Sequence, residues 1–531
     1  MYSVGKNMKK LIILLPVLSI GLMGFDSFED WKISGRLNAY IQSIDVEAEN
    51  GLGSDREGTT HNEELTIRAG GKFKNGKAGI ELRGRTTNDD KIQKDGAVLQ
   101  YLKAYYRDKI WSIEAGDVSA SMNPYVFGGS LKGIKAVYKS PEKERSWSYT
   151  FISGIKKSSW KELYTSVEGE APDSYVGAFE AKYQYKRSQT VSLSVSALKD
   201  DLATGDANSS VAGKKGISFG LDGKWRFNRS VTLKGRGAIT SATDDLKNDK
   251  STSSHSALLI KLLTKPTKSL RSNFTYTRVA SQYIALMGSA PKDTEQFENS
   301  NTWRINKQFT AKLGLRARRD NLDGSLGATQ KIYYEKLSLL YKPKFLKRSN
   351  FNFRASNKLT KGRGADNKTR TFGVDFNYRP KGEWRYGAGI EYSKYDDDIA
   401  PTSSRTTKTA KATLGYKKKL DKERSYRAVC TLNYQRVHQN GINDDDYGLK
   451  LDLGYSHSKK LSFDLLYMSK YAYKTTSNDT QNSTYQARAT YRIDKKQTVK
   501  FLLEKRAYDI ENDGANSYNE YKGKLSYTLN F

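Results

Sequence analysis

The sequence predicts an all-β chain: a single transmembrane, antiparallel, up-and-down β-barrel of about 26 strands. Three observations carry this. From Trp31 onward the chain divides into runs of about ten to fifteen residues in which apolar and polar side chains alternate. Successive side chains of a strand point to opposite faces, so each run has one greasy face and one wet one. The runs are joined by short and long links in turn, as in barrels with tight turns at one membrane face and longer loops at the other. Six of the seven tryptophans lie near the short-link end of their run, where an indole at headgroup level is half buried and keeps its N–H wet.

The first six runs are 31–43, 63–74, 77–87, 97–107, 110–118 and 131–139. The opening run sets Trp31, Ile33, Leu37 and Ile41 against Lys32, Ser34, Arg36 and Asn38, and Asn75-Gly76 provides a tight turn after the second. Seven more follow at 145–156, 175–186, 189–199, 215–227, 230–242, 254–265 and 267–279, with Arg187-Ser188 and Asn228-Arg229 among their short links. The next six are 295–306, 308–318, 330–343, 347–359, 368–380 and 383–394, with short links at Lys307 and Lys381-Gly382. The last seven are 405–419, 423–437, 444–458, 460–473, 482–494, 497–508 and 518–531. Links after odd-numbered runs are expected to be the long ones, from about six residues at 438–443 to nearly twenty at 44–62. Trp31, Trp111, Trp147, Trp225, Trp303 and Trp384 form half of an aromatic girdle, and Trp160 falls in a long loop. Composition is even along the chain, so residues 25–531 are one barrel domain without a separate plug domain.

Only 37% of residues are hydrophobic, too few for spanning helices, whose segments must be continuously apolar. A barrel tolerates this because alternate residues alone meet lipid. The 35 tyrosines and the alternation argue against a disordered chain. The single cysteine, Cys430, stands in the apolar row of Tyr426, Ala428, Leu432 and Tyr434. One cysteine excludes a disulfide scaffold, a cysteine-based zinc or iron–sulfur site and covalent haem attachment. At the N-terminus, Met8-Lys9-Lys10 precedes the apolar stretch Leu11 to Leu22 and then Met23-Gly24-Phe25-Asp26. A basic start, a short apolar core and small residues describe a secretory signal peptide over 1–24; a spanning helix needs about 20 apolar residues. Its removal takes three lysines and no acid, lowering the net charge from +32 to +29.

The final run alternates Tyr521, Leu525, Tyr527, Leu529 and Phe531 with Lys522, Lys524, Ser526, Thr528 and Asn530. A chain that closes on an aromatic at the end of such a strand resembles the bacterial outer-membrane β-barrel family. The resemblance implies the outer membrane of a Gram-negative bacterium, with membrane lipid and lipopolysaccharide as surroundings. It also implies that Tyr527, Leu529 and Phe531 are the signal read by the barrel-assembly machinery.

If the apolar row of each strand faces lipid, the lumen receives Lys312, Arg316, Arg318, Arg354, Lys358, Arg385, Arg427, Arg488, Arg492 and Arg506. Inward acids are fewer, chiefly Asp222, Asp375, Glu391, Asp452, Asp464, Glu504 and Glu520. Such a wall attracts anions, unless its charges pair across strands. Two loops are unusually apolar: 119–130, with Tyr125 and Phe127, and 280–291, with Tyr283 and Met287. Apolar loops over water need something to bury against, so they are expected to constrict the lumen, grip a partner or cap the rim. Gly116-Asp117 and Leu131-Lys132-Gly133, flanking the first loop, resemble a hairpin of large export barrels such as fimbrial ushers, whose flanking domains this sequence lacks.

Aspartate clusters such as Asp396-Asp397-Asp398 and Asp444-Asp445-Asp446 are placed at or near loop tips, where solubility explains them better than a calcium loop. His61, His255, His438 and His457 are scattered without metal-ligand spacing, and no nucleophile or phosphate-loop motif is present. No metal, no cofactor and no catalytic residue is expected. Basic residues spread over turns and wall do not form a nucleic-acid footprint. A circular ring of 26 strands would have a diameter of ~50 Å. The expected function is a pore for anionic solutes or polymers through a basic lumen, narrowed by inward loops. The alternative is a structural sheath around a periplasmic or lumen-filling partner, such as a multihaem cytochrome of an electron conduit or a lipoprotein plug.

Overall fold

The computed structural model describes residues 28–48, 57–92, 96–142, 144–157, 160, 172–186, 188–202, 212–248, 250–325 and 327–531. The expected signal peptide, 1–24, lies outside them. The strands begin with β1 (Phe28–Ala48), β2 (Gly58–Phe73), β3 (Gly76–Thr87), β4 (Ala97–Arg107), β5 (Trp111–Ser121), β6 (Gly128–Lys139), β7 (Arg145–Lys156), β8 (Asp173–Tyr185) and β9 (Gln189–Asp201). There follow β10 (Lys215–Arg226), β11 (Val231–Thr243), β12 (Ser253–Thr264), β13 (Leu270–Val279), β14 (Thr294–Arg304), β15 (Phe309–Arg319), β16 (Lys331–Tyr341), β17 (Ser349–Gly362) and β18 (Ala365–Tyr378). The last are β19 (Trp384–Asp397), β20 (Arg405–Lys419), β21 (Ser425–Gln439), β22 (Ile442–Ser456), β23 (Leu461–Tyr473), β24 (Thr480–Arg492), β25 (Gln497–Ile510) and β26 (Tyr518–Asn530).

Each strand pairs antiparallel with its sequence neighbours, and β1 pairs with β26 from Arg36↔Asn530 to Ala48↔Tyr518. The sheet is therefore a closed 26-stranded transmembrane barrel, in which no strand edge is left to lipid. The last residue completes the closure. Gly35 N–H donates to Phe531 O at 2.8 Å, and Phe531 N–H donates to Gly35 O at 3.0 Å. The Phe531 ring lies over Gly35, where a Cβ would stand 2.2 Å from Phe531 Cζ. Any side chain at 35 would have to displace that ring.

Two expected boundaries need correction. Links 363–364 and 440–441, expected to be long, are two-residue hairpins. Arg363 (φ 49°) with Gly364 (φ 69°), and Asn440 (φ 52°) with Gly441 (φ 76°), take the left-handed conformations such turns demand. Asp444, Asp445 and Asp446 consequently lie in the β22 ladder and not at a tip. The alternation reports where lipid ends, whereas backbone pairing continues into water because it satisfies the same N–H and C=O groups. The first tight turn is likewise Lys74-Asn75, one residue earlier than expected, with Lys74 at φ 52°.

The outer face carries the apolar rows, with Leu193, Ile239, Phe372 and Leu465 all exposed. At the short-turn end neighbouring strands stack their rings into a belt. It includes Trp111–Tyr138 at 5.1 Å, Phe309–Tyr341 at 4.5 Å and Tyr416–Tyr426 at 5.6 Å between centroids. At the opposite end Tyr395, Tyr434 and Tyr471 donate their hydroxyls to Asp397, Asp445 and Asp479 at 2.7, 2.8 and 2.5 Å. These carboxylates are tied to the rim.

Candidate functional site

The largest buried apolar cluster is inside the barrel and is built from the two apolar loops. The β4–β5 ladder has only five residue pairs, ending at Lys103↔Gly116, whereas the other ladders have at least eight. Beyond it β5 and β6 still pair with each other to Ser121↔Gly128, but β6 leaves β7 after Lys132↔Ile155. The upper half of this hairpin thus turns out of the wall and into the lumen. Glycines permit the fold: Gly116 takes φ 97° and a Cβ there would stand 2.2 Å from Leu102 O. At Gly133 a Cβ would stand 2.0 Å from Ser153 O.

The gap left behind is closed by a polar knot. Asp117 accepts Leu102 N–H at 2.7 Å, the Trp160 indole N–H at 2.7 Å and the Lys132 ammonium. Lys132 Nζ also lies 5.2 Å from the Trp160 ring centre. Ile155 and Trp160 pack with Leu102 and Tyr175 across the opening. Trp160, the tryptophan outside the girdle, is a wall filler. Removing one partner of a buried ion pair costs about 3–5 kcal/mol, so this knot fixes the hairpin in its inward position.

The hairpin tip meets the second loop. Phe127 and Met287 form a parallel bridge, Gly128 N–H donates to Met287 O at 2.9 Å, and Ser289 N–H donates to Pro124 O at 2.7 Å. The buried Tyr283 hydroxyl donates to Tyr125 O at 2.9 Å. Burial pushes both phenols above their ordinary values, so both stay neutral. The sequence-predicted Tyr125, Phe127, Tyr283 and Met287 are therefore brought together in one body. It docks on the inward rows of β7 to β13 through Ile152, Val176, Ala178, Leu198, Ala238 and Val279. Asn123 Nδ2 donates to Gly237 O at 2.9 Å, and Ser196 Oγ donates to Val126 O at 3.0 Å. A Cβ on Gly220 would collide with Val126 and Asn123. The base of the second loop is clasped to the next one: Ser281 Oγ donates to Asp323 at 2.6 Å, and Asp293 accepts Asn321 N–H and Leu322 N–H.

Sequence reasoning missed this docking wall. Its signal was available: Ser194, Ser196, Ser218, Gly220, Ala238, Thr240 and Ala242 are small inward residues where other strands carry Lys or Arg.

All seven inward acids named from the sequence are engaged. Asp222 pairs with Arg236 (2.7 Å). Asp375 and Glu391 pair with Arg354 (3.1 and 3.4 Å), and Asp452 and Asp464 with Arg427 (3.1 and 3.2 Å). Glu504 and Glu520 pair with Arg506 (2.7 and 3.1 Å). Arg316 holds Glu298 at 3.0 Å. Arg318 reaches the Thr294 hydroxyl at 3.4 Å, and Arg488 the Gln486 carbonyl at 3.3 Å. Lys312, Lys358, Arg385 and Arg492 have no carboxylate partner among the described residues. The lumen thus has two halves: one covered by the docked loops, the other bearing cations in excess of acids. At the seam, Leu529 stands opposite Leu37, and Tyr527 OH donates to Gln497 at 3.1 Å.

This architecture defines a large transmembrane β-barrel whose own loops fold into its lumen. No family model and no curated protein matches the chain. Among solved structures it is similar to the P pilus usher (PapC) translocation pore, at 10% identity and TM-score 0.35, over 94% of this chain and 99% of that one. It is also similar to the ferric enterobactin receptor PfeA of Pseudomonas aeruginosa, at 9% identity and TM-score 0.42, over 94% and 81%. A third is OccK7 of the same organism, at 11% identity and TM-score 0.27, over 95% and 99%. These likenesses extend to the barrel fold alone.

Proposed function

We propose that the chain is an outer-membrane pore, without catalytic activity, that passes anionic solutes or polymers through a basic lumen narrowed by its two docked loops. The observation that carries this reading is the pairing on the lumen wall. The named acids are taken up by four arginines, while Lys312, Lys358, Arg385 and Arg492 keep uncompensated charge. Fixed cations on a wall backed by lipid focus the field and raise the local anion concentration. Membrane lipid and lipopolysaccharide surround the outer face, and the barrel-assembly machinery reads the strand ending in Phe531.

Against the sheath reading, the docked loops already cover the inner wall of β7 to β13, surface an enclosed partner would otherwise cover. Liposome swelling tests the proposal. Gluconate should enter proteoliposomes several-fold faster than glucosamine, a cation of similar size. Equal rates, or a stoichiometric haem protein or lipoprotein that co-purifies and blocks exchange, would replace the pore with the sheath.

A further inference from the structure

The open half of the lumen contains a hollow of about 790 Å³ over β15 to β21, within the roughly 300–1,000 Å³ usual for small-molecule sites. Its floor is made of glycines. Gly387, Gly389 and Gly415 all face inward: Gly387 stands opposite Thr413, Gly389 opposite Lys411, and Gly415 opposite Arg385. Glycine inside a strand weakens it and often marks a place where a ligand approaches the backbone. Here the fold gives little other reason for it. None of the three has positive φ. A Cβ would find its nearest atom at an ordinary 3.5 Å at Gly387 and at Gly415, whereas at Gly389 it would press on the Asp375 carboxylate at 3.0 Å. Gly387 and Gly415 thus present bare backbone where a side chain would fit.

Charge and polarity around that floor indicate what chemistry it would take. Lys312, Arg354, Arg379, Arg385 and Lys411 line the hollow against two carboxylates, Asp375 and Glu391. Both carboxylates are already held by Arg354. Lys312, Arg385 and Lys411 have no carboxylate partner among the described residues, and Asn350, Asn377 and Thr413 add neutral donors and acceptors. Phe376 and Tyr386, the rings lining it, belong to the lipid-side aromatic stack, so a nucleobase has nothing to stack on. A bare inorganic anion would leave most of the volume and all of the amides unused.

We propose that this hollow is a binding subsite for an acidic sugar residue. Its carboxylate is held by Arg385 and Lys411, its hydroxyls by Asn377, Thr413 and Asn350, and its ring lies against the glycine floor. The subsite rests on the anion-pore reading and gives that pore a substrate class. The sugar acid can be free or part of an acidic polysaccharide, and the test separates the two.

The folded full barrel in detergent is titrated calorimetrically with galacturonate, trigalacturonate, maltotriose and sulfate. Saturable uronate binding is expected, with none for maltotriose at tenfold higher concentration and no displacement by equimolar sulfate. Trigalacturonate binding at least tenfold tighter than the monomer assigns a polymer, and equal affinities assign a free sugar acid. Arg385→Gln with Lys411→Gln should weaken binding at least tenfold. Gly387→Val with Gly415→Val should abolish it while heat-modifiable mobility stays that of wild type. Absence of uronate binding to wild type, full binding by the glutamine pair, or displacement by equimolar sulfate overturns the proposal. The glutamine pair decides if the valine pair fails to fold. An anion-selective barrel that binds no uronate refutes the subsite alone; a barrel that binds uronate but does not conduct refutes the pore alone.

Discussion

Replacing Phe127 with alanine should loosen the docked loops without unfolding the barrel. Phe127 is fully buried against Met287 and the inner wall, yet it contributes to no strand ladder, only to an isolated bridge. Truncating a buried phenylalanine costs about 3–5 kcal/mol. An undocked loop exposes residue 127 in either variant, so the cost falls on the docked state. At tenfold per 1.4 kcal/mol, the docked-to-undocked ratio should fall by about 10²- to 4 × 10³-fold. In single-channel recordings Phe127→Ala should show frequent large openings that wild type shows rarely, and cells expressing it should become sensitive to large antibiotics. Phe127→Leu, which retains most of the volume, should behave close to wild type. A folded Phe127→Ala barrel with unchanged conductance and open probability would refute the idea that these loops narrow the lumen.

The seam gives a second prediction: Gly35→Val places a side chain where the Phe531 ring lies, so it should lower outer-membrane levels about as much as deleting Phe531, and wild-type levels of both would remove Phe531 from assembly. The Ser281–Asp323 clasp titrates with a known sign. The Ser281 hydroxyl and then the Ser325 N–H lower the Asp323 carboxyl from 3.8 to about 2. A depressed folded-state value makes the clasp fully stabilising above about pH 4 and weakens it as pH falls toward 2. Large openings should therefore be pH-independent from 8 to 5 and rise only below 4, whereas Asp323→Ala should show them at pH 7; a wild-type rise between 8 and 5 would contradict this. Cysteines placed at Asn440 and Asp245 should label in intact cells, whereas Lys381 should label only after permeabilisation; equal labelling would reverse or abolish the assigned orientation.

Strand number and pairing order were legible because lipid imposes a period of two on every strand and the links sort by length. Both depend on local sequence alone. The ends of β1, β2, β17 and β21 were not, because pairing outlasts the lipid-facing pattern; Asp445 accordingly proved to be a strand residue bound to Arg436 at 2.8 Å. The four loop residues stood out as apolar side chains in a wet setting, but their destination depends on a hinge at Gly116 that only the loss of the β4–β5 ladder reveals. The ten cations were placed on the wall by parity. Which of them keep free charge required cross-strand register, since Arg354 and Arg427 each gather two acids from neighbouring strands. The Gly387–Gly389–Gly415 floor was silent in the sequence, as it assembles from two strands joined across the ladder.

If uncompensated lumen cations select anions, reversal potentials in planar bilayers will report it. Pure wild-type barrel in a salt gradient should show anion preference, and Lys312→Glu, Lys358→Glu and Arg385→Glu together should move the reversal potential toward cations. The shift should shrink at 1 M salt, where the Debye length is about 3 Å. A wild-type barrel that does not conduct, or a triple variant with an unchanged reversal potential at low salt, would show that these cations do not select anions.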